Sequence, residues 1–74
     1  MIYQFNNISS EKVIQAEKAI KENGGEVYVG DKFSIMGVKG KYTLIGSTLT
    51  VDITDKPWLA SWNMIEEKLK GFFR

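Results

Sequence analysis

The chain has 74 residues, of which 43% are hydrophobic and 26% are charged, and its formal net charge is +1. This balance predicts one folded domain spanning residues 1–74, and it argues against a disordered chain or a strongly basic one. Cysteine and histidine are both absent, which excludes disulfide bonds and metal sites built from thiolate or imidazole ligands.

The composition also bears on location. No run of residues reaches the roughly 20 apolar positions that a membrane-spanning helix needs, and the first residues lack a signal-peptide pattern. A chain without cysteine suits a reducing compartment. We therefore expect a cytoplasmic protein, of a bacterial type, with no transmembrane segment.

The first predicted elements are a strand over residues 2–6 and a helix over residues 9–23. Ile, Tyr and Phe favour the strand. Ser9 or Ser10 would accept hydrogen bonds from free amides of the first helical turn, and two glycines after Asn23 would end the helix. Val13, Ala16 and Ile20 recur at helical spacing, so they share one face.

The middle of the chain predicts four strands, over residues 26–29, 32–38, 41–45 and 48–54. Gly30 and Asp31 suit a hairpin turn between the first two strands, and Lys39-Gly40 marks the next turn or bulge. In the last strand every second residue is apolar, which is typical of a strand with one buried face. The apolar positions of that strand are Leu49, Val51 and Ile53.

The last predicted helix ends at Phe73, with Asp55 or Ser61 as its cap. Pro57 fits only before this helix or in its first turn. Basic residues near its end suit the helix dipole; they are Lys68, Lys70 and Arg74. Large apolar residues at helical spacing predict its core-facing stripe. The stripe consists of Trp58, Trp62, Ile65, Leu69 and Phe72, with Phe73 beside it.

This order of elements predicts an α+β fold, β-α-β-β-β-β-α. A curled antiparallel sheet would carry both helices on one face, and the glycines at 37, 40 and 46 would allow the curl. The residues at buried positions of the helical stripes and of the alternating strand are expected to form the core. They are Val13, Ile20, Leu49, Val51, Ile53, Trp62, Ile65 and Leu69.

Motifs for catalysis or cofactor binding are missing. The sequence holds no phosphate-binding loop, no dinucleotide glycine fingerprint and no paired metal ligands. Glu66 and Glu67 are adjacent, so on a helix they diverge by about 100°. We expect no catalytic residue, no metal site and no cofactor, and hence a protein that is not an enzyme.

The Val38-Lys39-Gly40-Lys41-Tyr42 segment resembles the lysine and aromatic pairs of single-strand nucleic-acid platforms. A nucleic-acid role would place Lys32, Lys39 and Lys41 on one face. The low net charge leaves few phosphates to neutralise, so we expect no tight binding of nucleic acid.

The sequence alone does not determine a function. The leading hypothesis is a small non-catalytic binding or protein-interaction module, whose partner is another protein or a second copy in a homodimer. The alternative is a carrier of a small apolar ligand in the groove between sheet and helices. Aromatic side chains are enriched at interface hot spots. We therefore expect an aromatic patch either on a sheet face that no helix covers, near Tyr28 and Met36, or around Trp58 and Phe73. The candidate interaction surface comprises Tyr28, Met36, Tyr42, Trp58 and Phe73.

From Gly40 onward the chain also resembles a bacterial family, the polyhydroxyalkanoic acid system or granule-region proteins. The resemblance is carried by the strand pattern of residues 40–44 and 48–53, by Lys56-Pro57-Trp58-Leu59, and by the Ile65-Glu66-Glu67-Lys68-Leu69 helix. It implies association with the hydrophobic surface of polyester storage granules and implies no reaction. Pro57 and Trp58 would form the corner between the last strand and the last helix.

Overall fold

Seven elements follow one another in the order that the sequence predicts. The computed structural model describes residues 1–73. Its elements are β1 (Ile2–Phe5), α1 (Ser10–Glu22), β2 (Glu26–Tyr28), β3 (Lys32–Ile35), β4 (Val38–Ile45), β5 (Thr48–Asp55) and α2 (Trp62–Phe73). The predicted order β-α-β-β-β-β-α is therefore confirmed. Arg74, expected in the basic cluster at the end of α2, lies outside the described residues.

The five strands form one open antiparallel sheet in the order β1-β5-β4-β3-β2. Strands β2 to β5 follow one another as a meander, and β1 pairs with β5, where Phe5 lies opposite Leu49. Between Lys39 and Gly40 the pairing with β5 shifts by one residue, so Thr54 is an additional residue on β5. Such a bulge increases the local twist and helps the sheet to curl.

The sheet has one apolar face, and both helices pack on it. Strand alternation turns every second side chain to this face. The buried side chains are Tyr3, Phe5, Ile8, Phe33, Leu49, Val51, Ile53 and Ile65. The predicted burial is confirmed for Leu49, Val51, Ile53 and Ile65. The other four expected core residues are only partly buried against this cluster; they are Val13, Ile20, Trp62 and Leu69.

Serine side chains cap both helices, as the sequence predicts. The Ser9 hydroxyl accepts a hydrogen bond from the backbone amide of Lys12 at 3.2 Å. The Ser61 hydroxyl does the same for the amide of Met64, also at 3.2 Å. Because α2 begins only at Trp62, Trp58 is not part of the helical stripe in which the sequence placed it.

Two turns differ from the expected positions. β2 ends at Tyr28, so three residues rather than two join it to β3. The turn between β3 and β4 lies at Met36 and Gly37, whose φ angles are 51° and 79°. The sequence predicted a turn or a bulge at Lys39-Gly40, and the structure has the bulge there. Gly40 lies inside β4, where a Cβ would sit 2.7 Å from the Asp52 carbonyl oxygen. Gly40 therefore allows close packing of β4 against β5, and Gly37 provides the positive φ angle that the turn needs.

Both helices are short, with 13 residues in α1 and 12 in α2. At a rise of about 1.5 Å per residue, neither approaches the roughly 30 Å of a bilayer core. Within residues 1–73 no helix has the length and hydropathy of a membrane span.

Candidate functional site

A groove of about 530 Å³ lies between α1 and α2, and the apolar face of the sheet forms its floor. Ile20 on one wall and Leu69 on the other are only half-buried because neither helix covers the other's inner face. The helices approach each other where the Lys12 ammonium group lies 4.6 Å from the centroid of the Phe72 ring. Met36, on the β3–β4 turn, also lines the groove.

Small residues explain why this groove is not filled. Ala16 and Ala19 face it from α1, and Gly71 faces it from α2. A Cβ added to Gly71 would meet no heavy atom within 4 Å. The 8.4 kDa chain exposes 5203 Å², whereas a typical monomer of that mass exposes about 4,600 Å². The protein therefore buries less of its surface than is typical for its mass.

One hydrogen-bonded pair interrupts the apolar lining. Tyr42, on the central strand β4, donates its hydroxyl hydrogen to the Glu17 carboxylate on α1. Burial, reinforced by this bond and by the negative charge of Glu17, raises the pKa of Tyr42 above its ordinary value. Tyr42 therefore keeps its proton throughout the neutral range and acts as the donor. The pair fixes α1 to the floor of the groove.

The five residues expected to form an interaction surface lie in three different places. Tyr42 and Phe73 line the groove, together with Met36. Trp58 lies in the loop before α2, and its side chain is 86% exposed. Tyr28 lies on the opposite face of the sheet, beside Lys32. The structure thus brings Met36, Tyr42 and Phe73 to one groove and leaves Tyr28 apart from them.

A second apolar feature lies on two neighbouring turns. We call it the tip surface, and it consists of Met36, Trp58 and Leu59. Their side chains are 75%, 86% and 76% exposed, respectively. The two turns are close, since a Cβ on Gly37 would lie 2.8 Å from the ring of Pro57. Contiguous exposed apolar surface is typical of contact sites, and these three side chains lie on adjacent turns.

Backbone hydrogen bonds hold the loop that presents Trp58 and Leu59. The amide of Ala60 donates to the Pro57 carbonyl at 3.0 Å, which closes a turn. The Lys56 ammonium group donates to the Ala60 carbonyl at 2.6 Å and lies 5.4 Å from the Trp62 ring centroid. The two apolar side chains at the centre of this turn are therefore held outward by the backbone.

The face of the sheet opposite the helices carries the lysines that the sequence singled out. Lys32, Lys39 and Lys41 line a depression of about 430 Å³ there. They share one face, as a nucleic-acid role requires. Asp52 lies opposite Lys41, and Asp55 lies opposite Lys39. This alternation of charges reduces the attraction for a polyanion.

The acidic side chains of residues 1–73 do not form a cluster that could bind a metal ion. Within residues 1–73, no three Asp or Glu side chains are close enough to hold a metal ion together. Glu66 forms an ion pair with Lys70 at 3.3 Å, one helical turn away. The described acidic groups therefore lie at the surface or in ion pairs, apart from Glu17 in the groove.

No protein-family model, curated protein or solved structure matches this chain. Membership of the granule-region family therefore stays an expectation. The structure places Pro57 and Trp58 between β5 and α2. Neither Glu17 nor Leu59 was among the candidate site residues that the sequence predicted. Ala16, on the apolar face of α1, is the sequence feature that could have indicated a groove, because a small residue facing the core leaves unfilled space.

Proposed function

We propose that this chain is a non-catalytic binding module whose groove between α1 and α2 takes a small apolar ligand. The observation that carries the proposal is the volume of about 530 Å³ between two helices and an apolar sheet. Ligand sites in proteins commonly enclose about 300–1,000 Å³ and combine an apolar lining with a few polar groups. The Glu17–Tyr42 pair is such a polar group.

The driving force for binding would be burial of the exposed groove lining. Each Å² of apolar surface that leaves water contributes about 25 cal/mol. Val13, Ile20 and Leu69 are half-buried now and would be covered by a ligand lying along the groove. Because a ligand that binds only the folded chain stabilises it, bound ligand also raises the melting temperature.

Replacing Ala16 by phenylalanine should weaken this binding, because the ring would occupy the space between the helices. We expect the wild type to bind the neutral apolar dye N-phenylnaphthylamine saturably, with one dye per chain. The Ala16→Phe variant should lose about tenfold or more in affinity, since an overfilled site excludes the dye. Fluorescence titration measures both affinities.

The matched control is Gln15→Phe, which adds the same ring to an exposed position of α1 outside the groove. It should bind the dye like the wild type. Thermal melts establish that both variants are folded. Equal affinity of Ala16→Phe and the wild type would refute the groove as the binding site.

The tip surface supports a second candidate function, contact with a protein partner. Trp is enriched at the centres of protein interfaces, and Trp58 is the most exposed of the three tip residues. A second copy of the chain is the simplest such partner and would give a homodimer. The resemblance to the granule-region family would instead make the partner a hydrophobic granule surface, within a bacterial cytoplasm.

Sedimentation at several protein concentrations tests the homodimer. If the tip surface mediates self-association, the wild type should show a rising average mass, and Trp58→Ser and Leu59→Ser should remain monomeric. Ile14→Ser is the control, because Ile14 is 61% exposed on α1, outside the tip surface. A wild type that stays monomeric at every concentration would reject the homodimer.

A further inference from the structure

The polar pair in the groove offers hydrogen-bond acceptors and little else. Tyr42 has committed its hydroxyl proton to Oε2 of Glu17. A phenol has one proton to donate and a carboxylate has none. At this point of the groove a ligand would meet only acceptors. They are Oε1 of Glu17 and the remaining lone pairs of Oε2 and of the Tyr42 hydroxyl oxygen.

Two other polar side chains of the lining can donate hydrogen bonds; one is engaged within its helix and the other lies at the rim. Asn23 donates through Nδ2 to the Ala19 carbonyl at 2.7 Å, within its own helix. Lys68, on α2, is exposed and lines the groove from its rim. The ion pairs among residues 1–73 join Met1 to Asp52 and Lys70 to Glu66, and none joins a lysine to Glu17.

Resting on the proposed function, we infer that the groove selects aliphatic ligands whose polar end donates a hydrogen bond, alcohols in preference to carboxylic acids. A hydroxyl group next to Glu17 donates to Oε1 while its alkyl chain covers the apolar floor. A ligand carboxylate at the same place brings two negative charges together where water is partly excluded. It also leaves Oε1 of Glu17 and the ligand carboxylate facing each other with no hydrogen between them to donate.

Displacement of N-phenylnaphthylamine by decanol and by decanoate tests this selectivity near neutral pH. The wild type should bind decanol about tenfold or more tightly than decanoate. Glu17→Gln removes the charge and supplies an amide donor. Its affinity for decanoate should rise, and the preference for decanol should fall to about threefold or less. Glu22→Gln is the control, since Glu22 is exposed on α1 outside the groove, and it should keep the wild-type ratio.

Tyr42→Phe provides a second variant, because it removes the hydroxyl and keeps the Glu17 charge. Its preference for decanol should persist, and thermal melts show whether each variant is folded. Equal displacement by both ligands in the wild type, or an unchanged ratio in Glu17→Gln, would overturn the inference while leaving groove binding intact. Failure of the dye itself to bind would instead refute the proposed function.

Discussion

Replacing Leu49 by alanine is expected to lower the free energy of unfolding by about 2–5 kcal/mol. Leu49 is the most completely buried side chain of the protein, with 1% of its surface exposed. It lies on β5 between β1 and β4, opposite Phe5 and Leu44, so the missing atoms would leave a cavity that neighbouring strands cannot close. In a domain of this size the melting temperature should fall by about 10 °C or more.

The same substitution elsewhere provides the comparison. Leu59 is 76% exposed on the tip surface, so Leu59→Ala should change stability by less than about 0.5 kcal/mol. Leu69 is half-buried in the groove wall, and Leu69→Ala should give an intermediate loss. Chemical denaturation of the three variants measures the series. Similar losses for Leu49→Ala and Leu59→Ala would contradict the assigned core.

Adding one methyl group at Gly25 should destabilise the protein by about 1–3 kcal/mol. A Cβ at this position would lie 2.6 Å from a methyl carbon of Ile20, 2.7 Å from the Ser34 carbonyl oxygen and 2.9 Å from Ile35. Gly25 therefore sets how closely the start of β2 approaches α1 and β3. The backbone oxygen cannot move without disturbing the sheet, so strain is the expected outcome of Gly25→Ala.

Gly71→Ala is the matched control for this substitution. It adds the same methyl group inside α2, where no heavy atom lies within 4 Å of the new carbon. Alanine is a better helix former than glycine, so this variant should gain about 0.5–1 kcal/mol. Opposite signs in thermal melts of the two variants would establish the close approach at Gly25. A neutral Gly25→Ala would show that the contact is not tight.

The elements that the sequence predicted well are those whose pattern is local. The alternation of Leu49, Val51 and Ile53 fixed the buried face of β5, and all three are buried. Ser9 caps α1 because the signal lies within four residues. By contrast, the sequence placed Gly37 inside a strand. Gly37 instead forms a turn, with a φ angle of 79°, while Gly40 lies in β4 against the Phe33 ring and the Asp52 carbonyl oxygen. These long-range contacts are not encoded in a local pattern.

The site was harder to predict because it depends on how two helices are spaced. The apolar stripes of α1 and α2 predicted that each helix has a buried face. They did not predict that the two helices would remain apart over the sheet. Whether Tyr42 reaches Glu17 depends on the position of α1 above β4, which no local pattern encodes. Trp58 fits the helical period and was assigned to the stripe. Since the helix begins four residues later, Trp58 is exposed instead.

The pairing of β1 with β5 has a consequence for the order of folding. Strands β2 to β5 are joined by short turns, so their contacts form between sequence neighbours. β1 must close a loop that contains all of α1 and the meander before it pairs, and such distant contacts form slowly. Until then β5 offers an unpaired edge of eight residues, to which another chain could add. In the finished sheet β1 pairs with residues 49–52, so its arrival covers half of the β5 edge.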